Sequence, residues 1–178
     1  MKFTTLIFSL LFSSIIFGQI KKQNLEYVKL VNEGLELLIQ QNILGAINKY
    51  KQAYNIDSTK VEANYGLGVA YLYDCQNKGA NCFVSLSYLD TVISIDDTYR
   101  NCYYNRGNLK NMMLDYKGAI KDLNIAIIRK PNDASRYINR AFSYKNLNNH
   151  SKECEDLKKA AKLNNSVAQK KLLENNCN

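Results

Sequence analysis

Apolar residues along this chain recur three and four places apart in short blocks, and polar turns separate the blocks. The pattern is plainest between Tyr103 and Pro131. Tyr103, Gly107 and the aliphatic stem of Lys110 make one stripe. The turn Leu114-Asp115-Tyr116 follows, and Ala119, Ile120, Leu123, Ala126 and Ile127 make a second stripe. That spacing puts each set on one side of a helix, and Pro131 cannot continue the second one. Two antiparallel helices are predicted. Gly107 and Ala119 are the small residues that let them approach closely.

The block is repeated. Gly34 and Gly68 are 34 apart, as are Gly107 and Ala141, while Gly68 and Gly107 are 39 apart. A second series, Ala53, Val92, Ala126 and Ala160, steps by 39, 34 and 34. Two series sharing one period and one five-residue insertion define four units: 27–60, 61–99 with the insertion, 100–133 and 134–167. One such unit cannot bury its apolar face, but stacked neighbours make a continuous core. A single Pro and the lack of strand-like alternation agree with an all-α chain. Residues 168–178 follow the last unit. Ser166 to Glu174, with Val167, Ala168, Lys171 and Leu172 on one stripe, reads as a capping helix with a polar outer face of Gln169, Lys170 and Glu174.

The first 18 residues differ in kind. One Lys precedes an almost wholly apolar run, Phe3 to Phe17, and Gly18-Gln19 follow. This is the layout of a secretory signal, and the run is shorter than the ~20 residues of a spanning helix. A signal peptide at 1–18, cut after Gly18, is expected, with 19–26 as a polar lead-in. The alternative is an uncleaved signal anchor. No Cys follows the run, which argues against a lipoprotein anchor. The expected product is exported, periplasmic or secreted, with no integral membrane span after cleavage.

YYNRGNLKNMMLDYKGAIKDLNIAIIRKP at 103–131 resembles a tetratricopeptide repeat (TPR), with the aromatic, Gly, Ala, apolar, Ala, Pro pattern at that family's spacing. The fourth unit has Ala141 for the Gly and Glu153 for the first Ala of its second helix. The first has Gly34, Ala46, Tyr50 and Ala53, with Leu30 at the aromatic place. The second is least typical, with Asn64 at that place and Gly68, Tyr71, Ser85, Leu89 and Val92. The resemblance covers roughly residues 27 to 167. It implies a right-handed α-solenoid of helix–turn–helix units.

Export would let the five cysteines pair. Cys75 ends the second unit's first helix, Cys82 begins its second, and the insertion lies between them. A Cys75–Cys82 bridge is predicted, worth roughly 2.5 kcal/mol by loop closure. If the last repeat helix and the cap are antiparallel and turn at about Asn164-Asn165, Cys154 and Cys177 fall at one height. A second bridge is predicted there, worth roughly 3.5 kcal/mol. Cys102 lies about 18 Å from Cys82 along a helix of ~12 residues and reads as a small buried residue. The alternative is five reduced, packed cysteines.

No catalytic constellation is legible. The one histidine, His150, falls in the turn Asn148-Asn149-His150-Ser151 and reads as a solvated or packing residue. No Cys/His spacing of a zinc site occurs, nor a phosphate loop, GxSxG or HExxH. Asp96-Asp97 reads as a solvated helix cap. The expectation is a non-enzyme with no cofactor and no metal. The net charge of +8 raises the question of nucleic acid, but the C-terminal lysines Lys152, Lys158, Lys159, Lys162, Lys170 and Lys171 are interleaved with Glu153, Glu155, Asp156 and Glu174. Mixed signs on helix faces mean solubility, so no nucleic-acid partner is expected. Attraction to acidic envelope surfaces stays open.

The resemblance also implies a binding surface: the first helices of successive units line a concave groove. The groove places carry Val31, Leu35 and Leu38, then Tyr65, Val69, Leu72 and Tyr73, then Asn101, Tyr104, Asn108 and Asn111, then Ile138, Phe142 and Lys145. Asn105 and Asn139 could also reach a ligand backbone. An apolar, aromatic end and an amide-rich end suit a peptide or protein segment. TPR units that grip acidic chaperone tails carry Lys and Asn where Val31 and Leu35 stand, so that clamp is not expected. The functional expectation is a protein–protein adaptor or scaffold of the cell envelope. Two alternatives remain, a self-associating structural or assembly accessory (a homo-oligomer) and a charge-driven binder of acidic surfaces.

Overall fold

The computed structural model describes residues 2–177, with side chains from Gly18 onward. Nine helices and no strands occur among the described residues: α1 (Lys2–Ile39), α2 (Ile43–Ile56), α3 (Val61–Lys78), α4 (Cys82–Ile95), α5 (Cys102–Met112), α6 (Tyr116–Arg129), α7 (Ala134–Asn146), α8 (His150–Lys162) and α9 (Ser166–Glu174). They pack as the antiparallel pairs α1/α2, α3/α4, α5/α6 and α7/α8, with α9 against α8. The first helices also touch one another, α1 to α3, α3 to α5 and α5 to α7, and no comparable contact joins the second helices. The first helices are therefore the inner layer of an α-solenoid.

Local chemistry explains the breaks. Asn42, Asp115 and Asn149 each accept a hydrogen bond from a first-turn backbone N–H (Gly45, Gly118 and Lys152), capping α2, α6 and α8. The residue before each cap, Gln41, Leu114 or Asn148, takes a left-handed conformation that turns the chain back. In the second unit Gly79 and Asn81 share that task around the inserted residues.

Small residues set the helix spacing. A Cβ on Gly34 would lie 2.8 Å from the Tyr50 ring, and one on Gly107 would lie 2.9 Å from Leu123. Tyr50 also presses on the next unit: a Cβ on Gly66 would lie 2.3 Å from it. The core runs the length of the solenoid as linked clusters, from Tyr27, Leu30, Ala53 and Ala63 to Tyr137, Leu157, Ala160 and Ala168.

Polar clasps join the two layers. Arg106 bonds both Asp122 oxygens at 2.8 and 2.7 Å and also reaches Asp90 on α4 at 2.7 Å. Arg140 repeats this 34 residues later, with Asp156 at 2.8 and 2.6 Å and Asn124 at 2.6 Å. Burial alone would lower the Arg106 guanidinium, but Asp122 and Asp90 more than offset it and raise it. The Asp156 hydrogen bonds likewise hold Arg140 charged. The first unit has the clasp with reversed polarity, Lys49 to Glu33 at 2.7 Å.

Two expectations change at the ends of the chain. The polar lead-in expected at 19–26 is helical and continuous with the first repeat helix within α1. Its register is held by Tyr27, whose hydroxyl donates to Glu62 and accepts from the Ala63 N–H. On the cap, Val167 is exposed, and Ala168 and Leu172 carry the packing. The side chains of the expected signal segment, apart from Gly18, lie outside the described residues. Among the described residues no helix is long and apolar enough to cross a membrane.

Candidate functional site

The inner face of α1, α3, α5 and α7 holds two pockets of different character. The first lies between α1 and α3, about 70 Å³, and is lined by Val31, Leu35, Leu38, Tyr65 and Val69, with Tyr99 and Arg100 at its rim. Burial pushes the Tyr50 phenol at its floor up to about 12, and raises Tyr65 as well. The second, about 290 Å³, lies between α5 and α7 and is lined by Asn108, Asn111, Met112, Asn139 and Phe142, with Gln76 from α3. Leu38 and Tyr73 line a further recess with Ile39, Ile43 and Asn77.

Other members of the expected set are used within the fold. Leu72 is 4 % exposed and packs with Cys75, Leu89 and Leu109, so it is core and not groove. Asn101 caps no helix with its side chain; its Oδ1 accepts from Arg136 at 2.8 Å and Lys130 at 3.2 Å. Asn111 is buried, donating to the Asn139 carbonyl and accepting from the Ser143 hydroxyl. Ile138 packs against the C-terminal cluster. Lys145 donates to Asn175 beyond the cap at 3.3 Å.

The amides at the sixth place tie the inner helices together. Asn105 donates to the Tyr65 hydroxyl at 3.0 Å, and Asn139 donates to the Tyr104 hydroxyl at 2.9 Å. The two bonds repeat one geometry, each reaching back to the preceding unit. These donors are therefore committed to the groove wall. Asn108 is different: its Oδ1 is buried in the amide-rich pocket and has no hydrogen-bond partner. Phe142, at the mouth of that pocket, is 48 % exposed and meets Tyr116 edge-on.

The structure brings Cys75 to Cys82 and Cys154 to Cys177 as disulfides, with Cα–Cα distances of 5.0 and 5.2 Å. Cys102 is free and buried, its thiol raised by that burial. His150, read as a solvated or packing residue, is half-exposed and packs on its own helix. It is the first residue of α8, with Nδ1 3.2 Å from Glu153 and Nε2 3.5 Å from the Cys154 sulfur. The sequence signal for this was Glu153 itself, a carboxylate at a small-residue place.

The basic excess is partly internal. Arg106, Arg136 and Arg140 are held in ion pairs within the fold, whereas Arg129, paired with Asp97, and Arg100, over the Tyr65 and Tyr99 rings, are exposed. An inward-turned guanidinium adds little to a surface field.

Comparison with known proteins agrees with this architecture. The TPR repeat family model matches residues 34–73. No curated protein sequence matches the chain. Among solved structures, residues 41 to the end of MamA from Desulfovibrio magneticus RS-1 superpose with a TM-score of 0.69 at 20 % identity, over 78 % of this chain and 75 % of that one. Pseudomonas aeruginosa PilF gives 0.66 at 17 % identity, over 80 % and 63 %. A chain of the APC/C hetero-tetramer Cut9–Hcn1 gives 0.74 at 17 % identity, over 84 % of this chain but 29 % of that one. At these identities the likeness is one of fold. The chain thus carries a tetratricopeptide repeat at 34–73, set within a paired-helix α-solenoid whose fold these structures share.

Proposed function

We propose that the chain is a non-catalytic interaction module of the cell envelope that holds an extended peptide or protein segment along its inner face. The observation that carries this reading is the pair of preformed pockets on the inner face, one apolar between α1 and α3 and one amide-lined between α5 and α7. Phe142, beside Asn108 and Asn139, and Val69 and Leu35 in the apolar pocket supply the anchors. A solved neighbour of like fold, the APC/C hetero-tetramer Cut9–Hcn1, is itself a protein–protein assembly. The envelope assignment rests on the apolar leader and the two disulfides.

The test is capture from an envelope extract by the full chain, beside an Asn108→Leu/Phe142→Ala variant of equal helicity. A segment retained by the first and lost by the second, with cross-links mapping to α3, α5 and α7, is the expected result. Equal capture, or cross-links confined to the outer helices, would remove the groove from the mechanism.

Self-association is the second reading, favoured by the exposed apolar side chains Leu25, Val28 and Ile39 on α1. It predicts a mass that rises with concentration in light scattering. Binding to acidic surfaces by charge would instead collapse as salt rises.

A further inference from the structure

Glu153 is the anomaly of the fourth unit. The equivalent places hold Ala46, Ser85 and Ala119, all fully buried. The Glu153 side chain is buried too, at 5 % exposure, and is gripped from two sides. Asn175, just past α9, donates to Oε1 at 2.7 Å, and Oε2 lies 3.2 Å from His150 Nδ1. Burying a carboxylate where small residues suffice is costly unless the charge is used. Here it orients an imidazole. With Nδ1 facing Glu153, Nε2 is the nitrogen nearer the Cys154 sulfur, at 3.5 Å against 3.8 Å for Nδ1. Cys154 is bonded to Cys177, and one ligand atom from each of His150, Cys154 and Cys177 lies within 4.8 Å of the others.

Two thiolates and an imidazole are a zinc donor set, and tetrahedral bonds of about 2.0–2.3 Å separate ligand atoms by roughly 3.5–3.8 Å. His150 and Cys154 are four apart on α8, the spacing that puts two side chains on one helix face. A carboxylate on the second ring nitrogen fixes the tautomer of a metal-binding histidine and raises its basicity. Cys177 lies beyond the end of α9, so the two sulfurs can part without moving a helix. His150 is 58 % exposed, which leaves a route for an ion and a fourth position for water.

We propose that, once its disulfide is reduced, the Cys154–Cys177 pair binds Zn²⁺ together with His150, with Glu153 as the positioning residue. A dithiol reductant supplies two electrons and two protons, which break the S–S bond to give two thiols, and is itself oxidised to a disulfide. Binding of Zn²⁺ then releases the two thiol protons to water. Disulfide and metal are alternative closures of one cap, each tying α8 to the segment after α9. The first suits an oxidising compartment and the second a reducing one.

The test uses the purified full chain, reduced with a dithiol under argon and titrated with Co²⁺ and then Zn²⁺ alone. The expected result is one Co²⁺ per chain with a thiolate charge-transfer band and tetrahedral ligand-field bands, displaced by Zn²⁺. The oxidised chain should show none. Cys154→Ser/Cys177→Ser should abolish the bands, whereas Cys75→Ser/Cys82→Ser should keep them. His150→Ala, which leaves Glu153 still held by Asn175, should weaken the metal at least tenfold with helicity unchanged, and Glu153→Gln about tenfold. If reduction unfolds the chain, an equimolar amount of Zn²⁺ should restore its helicity. Absence of bands in the reduced helical chain, bands that survive Cys154→Ser/Cys177→Ser, undiminished affinity in His150→Ala, or a reduced chain that Zn²⁺ fails to refold would each overturn the proposal.

Discussion

The second and third helix pairs solve one packing problem with opposite chemistry. Between α5 and α6 the layers are joined by Arg106 and Asp122, a two-bonded ion pair with Lys110 added at 2.8 Å. The equivalent places between α3 and α4 hold Leu67 and Tyr88. Leu67 is fully buried, and Tyr88 stacks on Tyr71 at 6.0 Å and meets Tyr54 edge-on at 5.9 Å. The pair without an ionic clasp is also the pair that carries the insertion and a disulfide across its turn. The repeat therefore fixes the places that must be filled and leaves open whether charge, aromatic surface or a covalent bond fills them.

The sharpest way to break the comparison is to remove one partner of the ionic clasp. Asp122→Ala strands Lys110 and leaves Arg106 to the half-exposed Asp90 alone, and should cost about 3 kcal/mol, the lower end for a broken buried pair, read as a lower urea midpoint. Arg106→Leu/Asp122→Tyr copies the second unit's chemistry into the third and should recover most of that loss. A double variant as unstable as the single would show that the two solutions are not interchangeable.

On the other side of the comparison, Cys75→Ser/Cys82→Ser should lower stability by roughly 2.5 kcal/mol, with no change in helix content. Gly66→Ala should cost about 1–3 kcal/mol by overpacking. Alanine would ordinarily favour the helix, but its Cβ would sit 2.3 Å from the Tyr50 ring, itself 3 % exposed and unable to retreat freely. A rise in melting temperature for Gly66→Ala would refute the close approach of the first and second pairs.

The smallest effect is the second pair's own share of the pH dependence. The Asn81 amide, 2.6 Å away, and Lys78 hold the Asp74 carboxyl below its ordinary value. A depressed carboxyl adds stability that is fully present above its unfolded pKa of about 3.9. That stability is lost as pH falls through the folded value. Asp74→Asn should therefore be less stable than the parent at neutral pH and lose less between about pH 5 and pH 2. Parallel urea titrations of the two chains would decide it.

Much of the fold was legible because spacing is a backbone property. The glycines at 34, 68 and 107, the alanine series and the cap from Ser166 all depend on helix geometry, which the order of residues carries directly. Groove membership was less legible. Leu72 and Val69 lie on one helix less than one turn apart, and only the position of α5 and its Leu109 decides that Leu72 is core. Asn101 and Asn111 look like free amides until Arg136 and Ser143 of the next unit arrive to bind them. The clasps had a signal that charge counting missed, since Arg106 and Arg140 are 34 apart, as are Asp122 and Asp156. Charges that keep the period of the core are inside it. Glu153 carried the same message in reverse, as a charge at a place that the period reserves for small residues.

The two amide–phenol bonds across the inner face, Asn105 to Tyr65 and Asn139 to Tyr104, bear on kinetics. They set the separation of neighbouring inner helices before any ligand arrives. A wall already at its final width has little rotamer or backbone entropy left to lose on association. It also has no rearrangement to wait for, so encounter should proceed at the ordinary rate for docking a rigid surface, and differences among ligands should appear in how long each one stays.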